Sequence, residues 1–216
     1  MRSVTIPVGD VQLEGDLTIP DDAEGVVLFA HGSGSSRHSS RNRFVAEHLN
    51  RHGLATLLMD LLTMEEEAID DRTGHLRFDI PLLGGRLVAA THWLEEEPST
   101  RGLPIGYFGA STGGGAALIA AAEIPGSVGA VVSRGGRPDL AAEALEDVRA
   151  PTLLIVGSRD LPVIGMNRTA MSRMTGPVEL EIVEGATHLF EEPGKLEEVA
   201  ELARGWFSRH LAHATA

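Results

Sequence analysis

The sequence predicts an α/β protein with a mostly parallel central sheet, an antiparallel edge at its N-terminus and helices on both faces. Continuous apolar runs rich in β-branched residues alternate with longer segments of helical period, a pattern typical of βαβ units. Two of these runs, 25–30 and 55–59, contain no charged residue, as expected for strands that are covered on both sides. The first two strands are joined at Gly9 and Asp10, which indicates a hairpin.

The elements can be assigned in order along the chain. Strands are predicted around residues 3–7, 11–20, 25–30, 55–59, 104–108, 128–133, 152–156 and 178–183. Helices are predicted from a cap at Ser39 or Ser40 to Gly53, and over 79–96, 112–123, 161–174 and 195–210. The acidic segment 61–77 has no sustained period, so we expect it to be mostly loop.

Length and composition restrict the class of protein. A chain of 216 residues, 43% hydrophobic and 23% charged, fits one globular α/β domain over residues 1–216. The net charge of −13 argues against binding to nucleic acid or to an anionic membrane. The sequence has no cysteine, no membrane-length apolar run and no apolar start typical of a secretion signal, so thiolate catalysis is excluded and a cytoplasmic location is expected.

The strongest chemical signal is a serine flanked by glycines. Residues 109–113 read Gly-Ala-Ser-Thr-Gly, which fits the pattern G-x-S-x-G, and they lie between a predicted strand and an alanine-rich helix. A sharp turn between two such elements strains the backbone of its middle residue and leaves room only for small neighbours. The sequence therefore predicts that Ser111 is a nucleophile held above the sheet edge at a helix N-terminus.

A serine hydroxyl needs a base, and the base needs a carboxylate that orients it. His188 is the best of the nine histidines because it directly follows the last predicted strand. Asp160 closes the segment Gly-Ser-Arg-Asp after the preceding strand, and the order Ser111, Asp160, His188 matches the order typical of this fold class. Asp60 and Asp139 are the alternative acids.

Two backbone donors are expected to stabilise the oxyanion of the tetrahedral intermediate. One is the N–H of Thr112, which follows the nucleophile. The other is predicted to be the N–H of Ser33, in the loop His-Gly-Ser-Gly-Ser at residues 31–35, where small residues let the backbone approach a substrate. His31 in this loop is predicted to be structural.

Together, the strand with its HGSG loop, the GASTG turn, the GSRD turn and the GATH turn resemble the α/β-hydrolase superfamily from about Val11 onward. The small members without a cap domain that are similar to dienelactone hydrolase match best. The resemblance implies an ester, lactone or related acyl substrate, no cofactor and no metal. Ser111 stands where dienelactone hydrolase itself has a cysteine, so the resemblance leaves the dienelactone substrate open, together with general esterase and lipase-like activities.

The short segment 134–150 leaves no room for a large lid, so an open site is expected. Arg37, Arg41 and Arg134, together with Arg137, are candidates for contacts with a small ester or lactone that carries a carboxylate or phosphate. Two alternatives stay open: a perhydrolase or acyltransferase that uses the same triad, and a homologue that binds a small ligand without catalysis.

Overall fold

The computed structural model describes residues 1–211, and one sheet of eight strands runs through it. Along the chain the strands are β1 (Arg2–Val8), β2 (Val11–Thr18), β3 (Gly25–Ala30), β4 (Leu54–Met59), β5 (Ile105–Ala110), β6 (Val128–Arg134), β7 (Thr152–Gly157) and β8 (Val178–Val183). In space they lie in the order β1-β2-β4-β3-β5-β6-β7-β8. In this order β5, which precedes Ser111, has β3 on one side and β6, β7 and β8 on the other. The loop of Ser33 follows β3, whereas Asp160 and His188 follow β7 and β8.

Strand directions agree with the sequence pattern. The β1–β2 hairpin is antiparallel, turns between Val8 and Val11, and joins the sheet by antiparallel pairing of β2 with β4. Every pair from β4 through β3, β5, β6 and β7 to β8 is parallel. The predicted mostly parallel sheet with an antiparallel N-terminal edge is therefore confirmed. The carboxyl ends of the parallel strands all lie at one edge of the sheet, where α/β proteins bind their ligands.

Helices cover both faces of the sheet. They are α1 (Ser40–Asn50), α2 (Met64–Thr73), α3 (Ile80–Glu96), α4 (Thr112–Glu123), α5 (Leu161–Met171) and α6 (Lys195–Leu211). In β3, Val26 and Leu28 pack into the cluster formed with α3 and α4, whereas Val27 and Phe29 pack into the cluster formed with α1 and α6. This burial on both faces explains the continuous apolar runs in the sequence.

The expectation of a loop over residues 61–77 is wrong, because α2 and a short 3-10 turn (Leu76–Phe78) lie there. Thr63 and Glu66 form a capping box, and Gly74 ends the helix with φ 62°. Asp70 is the buried residue of this helix, so no apolar stripe marks it in the sequence. Capping, together with acidic side chains near the positive end of the helix dipole, replaces hydrophobic periodicity as the signal.

The segment between β6 and β7 contains only a 3-10 stretch (Pro138–Asp147), which agrees with the expected lack of a large cap. No helix within residues 1–211 is both long and apolar enough to cross a membrane.

Candidate active site

Ser111 lies on the sharp turn between β5 and α4, with φ 52° and ψ −121°. A positive φ is unfavourable for any residue with a side chain, so surrounding contacts must hold this conformation. The Ser111 N–H donates to the carbonyl of Arg134 at 3.2 Å, and its carbonyl accepts from the N–H of Arg137 at 3.0 Å. The end of β6 therefore fixes the serine in its strained conformation.

The two glycines of the motif are required by close backbone packing. A Cβ atom on Gly109 would lie 2.6 Å from the carbonyl oxygen of Gly113, and one on Gly113 would lie 2.2 Å from the carbonyl oxygen of Ala30. Neither position has room for a side chain. The predicted reason for the G-x-S-x-G pattern is thus borne out by the packing.

His188 and Asp160 form a direct hydrogen bond, with 2.6 Å between Nδ1 and Oδ2. The carboxylate accepts the Nδ1 proton, which leaves Nε2 free to act as a base. The aspartate is mostly buried and the imidazole is partly exposed, with side-chain exposures of 13% and 38%. When a serine acts as a nucleophile, the histidine that accepts its proton must be oriented by a carboxylate, and this pair has that arrangement.

The loops that carry the acid and the base are joined by hydrogen bonds. The Ser158 N–H donates to Val183 at 2.9 Å, and the Arg159 N–H donates to Ala186 at 3.0 Å. The Gly185 N–H donates to the hydroxyl of Ser158 at 2.8 Å. Ser158 therefore positions the histidine loop against the aspartate loop, a role for which the sequence pattern gave no signal beyond its place in Gly-Ser-Arg-Asp.

Ser111 and His188 line one cavity of about 240 Å³, together with Ser33, Arg41 and Arg134. In the part of the chain that the structure describes, the Ser111 hydroxyl makes no hydrogen bond to the imidazole. Such bonds are often long before a substrate binds and shorten in the complex. The structure thus brings Ser111 and His188 to the same cavity without a direct hydrogen bond between them.

A second cavity of about 430 Å³ adjoins the first, lined by α2 residues, by Arg77 and by Thr112. The two cavities share Gly32, Ser33, Ser35 and Ser39, so the loop after β3 separates them. Asp70 lines the larger cavity and pairs with Arg77. Desolvation raises the pKa of the Asp70 carboxyl, but hydrogen bonds from the backbone and side chain of Arg77 and from the N–H of Leu76 hold it below its usual value. The larger cavity therefore has polar, charged walls.

The alternative acids are engaged elsewhere. Asp60 accepts the backbone N–H of Arg37 at 2.7 Å and pairs with its guanidinium. Asp139 pairs with Arg137 at 2.7 Å. Neither carboxylate contacts His188, which leaves Asp160 as the acid partner.

The predicted oxyanion donors lie where expected, but one of them is already engaged. Thr112 is the first residue of α4, where backbone N–H groups have no partner inside the helix. The Ser33 N–H donates to the Thr112 hydroxyl at 2.9 Å. The Thr112 side chain was not among the predicted site groups, although the motif shows a hydroxyl directly after Ser111.

Two of the three predicted substrate-binding arginines reach the cavity of Ser111, and Arg37 does not. Arg37 pairs with Asp60 and lies 3.8 Å from Asp16, so its charge is compensated by the protein. Arg41 and Arg134 line the cavity. The structure does not bring Arg37 to this cavity, because two carboxylates from β2 and the end of β4, distant in the sequence, fold against it.

Arg134 is a buried cation, 6% exposed, with no carboxylate partner among residues 1–211. Its guanidinium donates to the side-chain oxygen of Asn42 at 3.4 Å and lies 5.9 Å from the ring centre of Phe190, while its Nε has no hydrogen bond. Burial, and then the nearby charge of Arg41, lower the pKa of Arg134 to about 10. A cation desolvated in this way favours an anionic ligand.

His31 links the loop after β3 to the end of β4, as predicted for a structural residue. Its Nδ1 donates to the carbonyl of Gly32 at 3.0 Å, and its Nε2 accepts the N–H of Leu61 at 3.0 Å. The bond from Leu61 requires the neutral ring, because a protonated Nε2 cannot accept a hydrogen bond. Burial is the main reason that the pKa of His31 is lowered from its ordinary value of 6.5.

Acid is therefore expected to weaken the fold through His31. The unfolded chain binds this proton near pH 6.5 and the folded chain binds it at lower pH, so stability is full above about 6.5 and is lost as the pH falls below it. The free energy of unfolding in urea, measured at several pH values, should fall by up to about 1.4 kcal/mol per pH unit more steeply than in His31→Gln. Equal slopes in the two proteins would contradict the prediction.

Metal ligands do not cluster in the described part of the chain: residues 1–211 contain no group of three or more suitable side chains.

Comparison with known proteins gives consistent results at the level of the family. The profile of the dienelactone hydrolase family matches residues 13–212. A dienelactone hydrolase from Anabaena variabilis, known from a crystal structure, is 63% identical, with a TM-score of 0.96 over 97% of each chain. Est1E from Butyrivibrio proteoclasticus is 16% identical, with a TM-score of 0.79 over 96% of this chain and 98% of that chain, a similarity that shows the fold alone.

Curated relatives from Mycobacterium tuberculosis carry a different name. Proteins from two strains, provisionally named phosphoribosyl transferases, are each 58% identical over 210 residues, which is 97% of this chain. The match covers only 46% of each relative, so the chain spans about half the length of these proteins.

Proposed function

Because this chain belongs to the dienelactone hydrolase family, as its motifs predicted, we propose that it is a serine hydrolase that cleaves a small ester or lactone through an acyl-enzyme on Ser111. Membership of this family supports hydrolase activity, whereas the cleavage of an ester or lactone by Ser111 is our proposal. One observation carries the proposal: a serine on a strained turn shares a cavity with an imidazole that is held by an aspartate. That arrangement can activate a hydroxyl without a cofactor.

In the proposed reaction, the Ser111 hydroxyl oxygen attacks the carbonyl carbon and gives its proton to Nε2 of His188. Asp160 keeps Nδ1 protonated and stabilises the imidazolium. The bond from the carbonyl carbon to the leaving oxygen then breaks, and the imidazolium protonates that oxygen. Water attacks the acyl-enzyme in the same way and releases the acid and the free serine. With a lactone, the leaving alcohol stays attached to the acyl group.

The N-terminus of α4 supports the charged intermediate. Ser111 precedes the first residue of this helix, and Thr112 begins it. The free N–H groups and the positive end of the helix dipole favour negative charge at this place. A carbonyl carbon bonded to Ser111 would carry its oxygen close to the Thr112 N–H, where one such donor contributes on the order of 100-fold to the rate.

Arg41 and Arg134 support a preference for an anionic substrate. Both line the cavity of Ser111, and no carboxylate within residues 1–211 pairs with Arg134 to offset its charge. A carboxylate or phosphate on the substrate would pair with this guanidinium and relieve its repulsion with Arg41. Glu191, 3.7 Å from Arg41 and mostly exposed, compensates only the outer of the two cations.

We expect Arg134→Gln to lower kcat/KM for an anionic ester by about 10- to 100-fold, because a hydrogen bond to a charged group contributes roughly 1.5–3 kcal/mol. A neutral ester of equal acyl size should lose no more than about threefold. Arg168→Gln, which removes an exposed arginine on α5, is the matched control. Preference for the neutral ester in the wild type, unchanged by Arg134→Gln, would remove the anionic part of the proposal.

An activity screen tests the hydrolase itself. Short acyl esters, lactones and amides are incubated with the protein, and a fluorophosphonate probe reports on a nucleophilic serine. Turnover of esters or lactones with labelling of Ser111 would support the proposal, and neither turnover nor labelling of folded protein would refute it. Added alcohol or peroxide as acceptor distinguishes acyl transfer from hydrolysis by the ratio of products.

The transferase name of the Mycobacterium tuberculosis relatives defines a competing proposal. Those proteins are more than twice as long as the region that this chain matches, so more than half of each lies outside the match. We attribute the name to that other part. Formation of a phosphoribosyl product by this chain would contradict this attribution.

A further inference from the structure

The Thr112 hydroxyl accepts a hydrogen bond from the Ser33 amide, which was expected to donate to the oxyanion. The Ser33 N–H donates to Thr112 Oγ1 at 2.9 Å. A backbone amide has one proton, so it cannot make two full hydrogen bonds at once. As the structure stands, Ser33 does not offer a free second donor to the intermediate.

The hydroxyl that takes this bond has a proton to give. Thr112 is 3% exposed and lines the larger cavity together with Gly32 and Ser33. Its oxygen accepts from Ser33, and within residues 1–211 its proton meets no acceptor at hydrogen-bond distance. Thr112 directly follows Ser111, and its hydroxyl oxygen lies 2.9 Å from the amide nitrogen of Ser33, a residue that lines both cavities. The hydroxyl is therefore next to the backbone group that was expected to meet the carbonyl oxygen of a bound acyl group.

We propose that the Thr112 hydroxyl is the second oxyanion donor of this protein and acts together with the backbone N–H of the same residue. The Ser33 amide, by donating to the hydroxyl oxygen, holds the side chain in one rotamer and strengthens it as a donor. Ser33 then acts through Thr112 rather than on the substrate. This inference rests on the proposed ester hydrolysis at Ser111 and assigns a residue to the transition state of that reaction.

The opposite role is the main competitor. If the hydroxyl only blocks the Ser33 amide, it must rotate away before catalysis, and its removal should free a donor. The two roles predict opposite changes in rate, which makes the side chain a direct test.

Thr112→Val keeps the shape of the side chain and removes the hydroxyl. With a neutral short-chain ester, we expect kcat to fall about 100-fold or more and KM to change little, because the lost bond forms only in the transition state. Thr112→Ser restores the hydroxyl and should stay within a few-fold of the wild type. Affinity for a boronic acid that mimics the tetrahedral intermediate should fall with kcat in Thr112→Val and recover in Thr112→Ser.

Thr112→Ala, measured beside Thr112→Val, separates loss of the donor from loss of packing, and thermal unfolding verifies that each variant is folded. Turnover by either hydroxyl-free variant at or above the wild-type level would overturn the inference in favour of a blocking role. The proposed function has a separate test: wild-type protein that shows neither ester turnover nor fluorophosphonate labelling would refute the proposed ester hydrolysis at Ser111. If the wild type is active and Thr112→Val is equally active, only the role of the Thr112 hydroxyl as an oxyanion donor is refuted.

Discussion

Ser111→Ala is expected to lower kcat for ester hydrolysis by at least about ten thousand-fold, because the other serines of the cavity do not lie on the strained turn at the N-terminus of α4. The positive φ at this position penalises alanine as it does serine, so the variant should fold like the wild type. Steady-state kinetics with a chromogenic ester measure the loss. Circular dichroism and thermal unfolding show whether the fold is kept.

Labelling makes the same prediction independent of the choice of substrate. A fluorophosphonate should modify the wild type once, at Ser111, and should leave Ser111→Ala unmodified. Ser208→Ala, which changes an exposed serine on α6, is the matched control and should be labelled like the wild type. Turnover by Ser111→Ala close to that of the control would rule out this serine as the nucleophile.

Much of the site could be predicted because it depends on strand ends. Ser111, Asp160 and His188 follow β5, β7 and β8, and parallel strands bring their carboxyl ends to one edge whatever the distance in sequence. Burial of the strands on both faces gives long apolar runs, so the ends of those strands are easy to locate in the sequence. A residue type directly after such a run therefore carries three-dimensional information.

Other features depend on contacts that a local pattern does not contain. Arg37 and Arg134 have the same side chain, yet one is paired with Asp60 and the other is buried with no carboxylate partner in the described part of the chain. The difference comes from which remote elements fold against each arginine. The use of the Ser33 amide by Thr112 is of the same kind, because it joins the loop after β3 to the start of α4.

Helix α2 was missed for another reason. Its buried residue is Asp70, which accepts the N–H groups of Leu76 and Arg77 at 2.6 and 3.1 Å, so polar contacts hold the following turn against it. Hydrophobic periodicity cannot detect a helix that is fixed in this way. The signal present was the spacing of Thr63 and Glu66, which fits a capping box.

Asp160→Asn is expected to lower kcat by about ten thousand-fold while leaving the geometry of the loops nearly unchanged. An amide has a donor where the carboxylate has only acceptors, so it can favour the tautomer of His188 with its proton on Nε2. The imidazole then cannot take a proton from Ser111. Kinetics with a neutral ester measure this loss without interference from the arginines.

The alternative acid supplies the control for this prediction. Asp139→Asn changes a carboxylate that pairs with Arg137 rather than with the histidine, so we expect turnover within a few-fold of the wild type. If Asp139→Asn caused the larger loss, the acid would have been assigned to the wrong strand end. The 2.6 Å contact between Asp160 and His188 favours the opposite result, because only a carboxylate that touches the imidazole can select its tautomer and stabilise its charge.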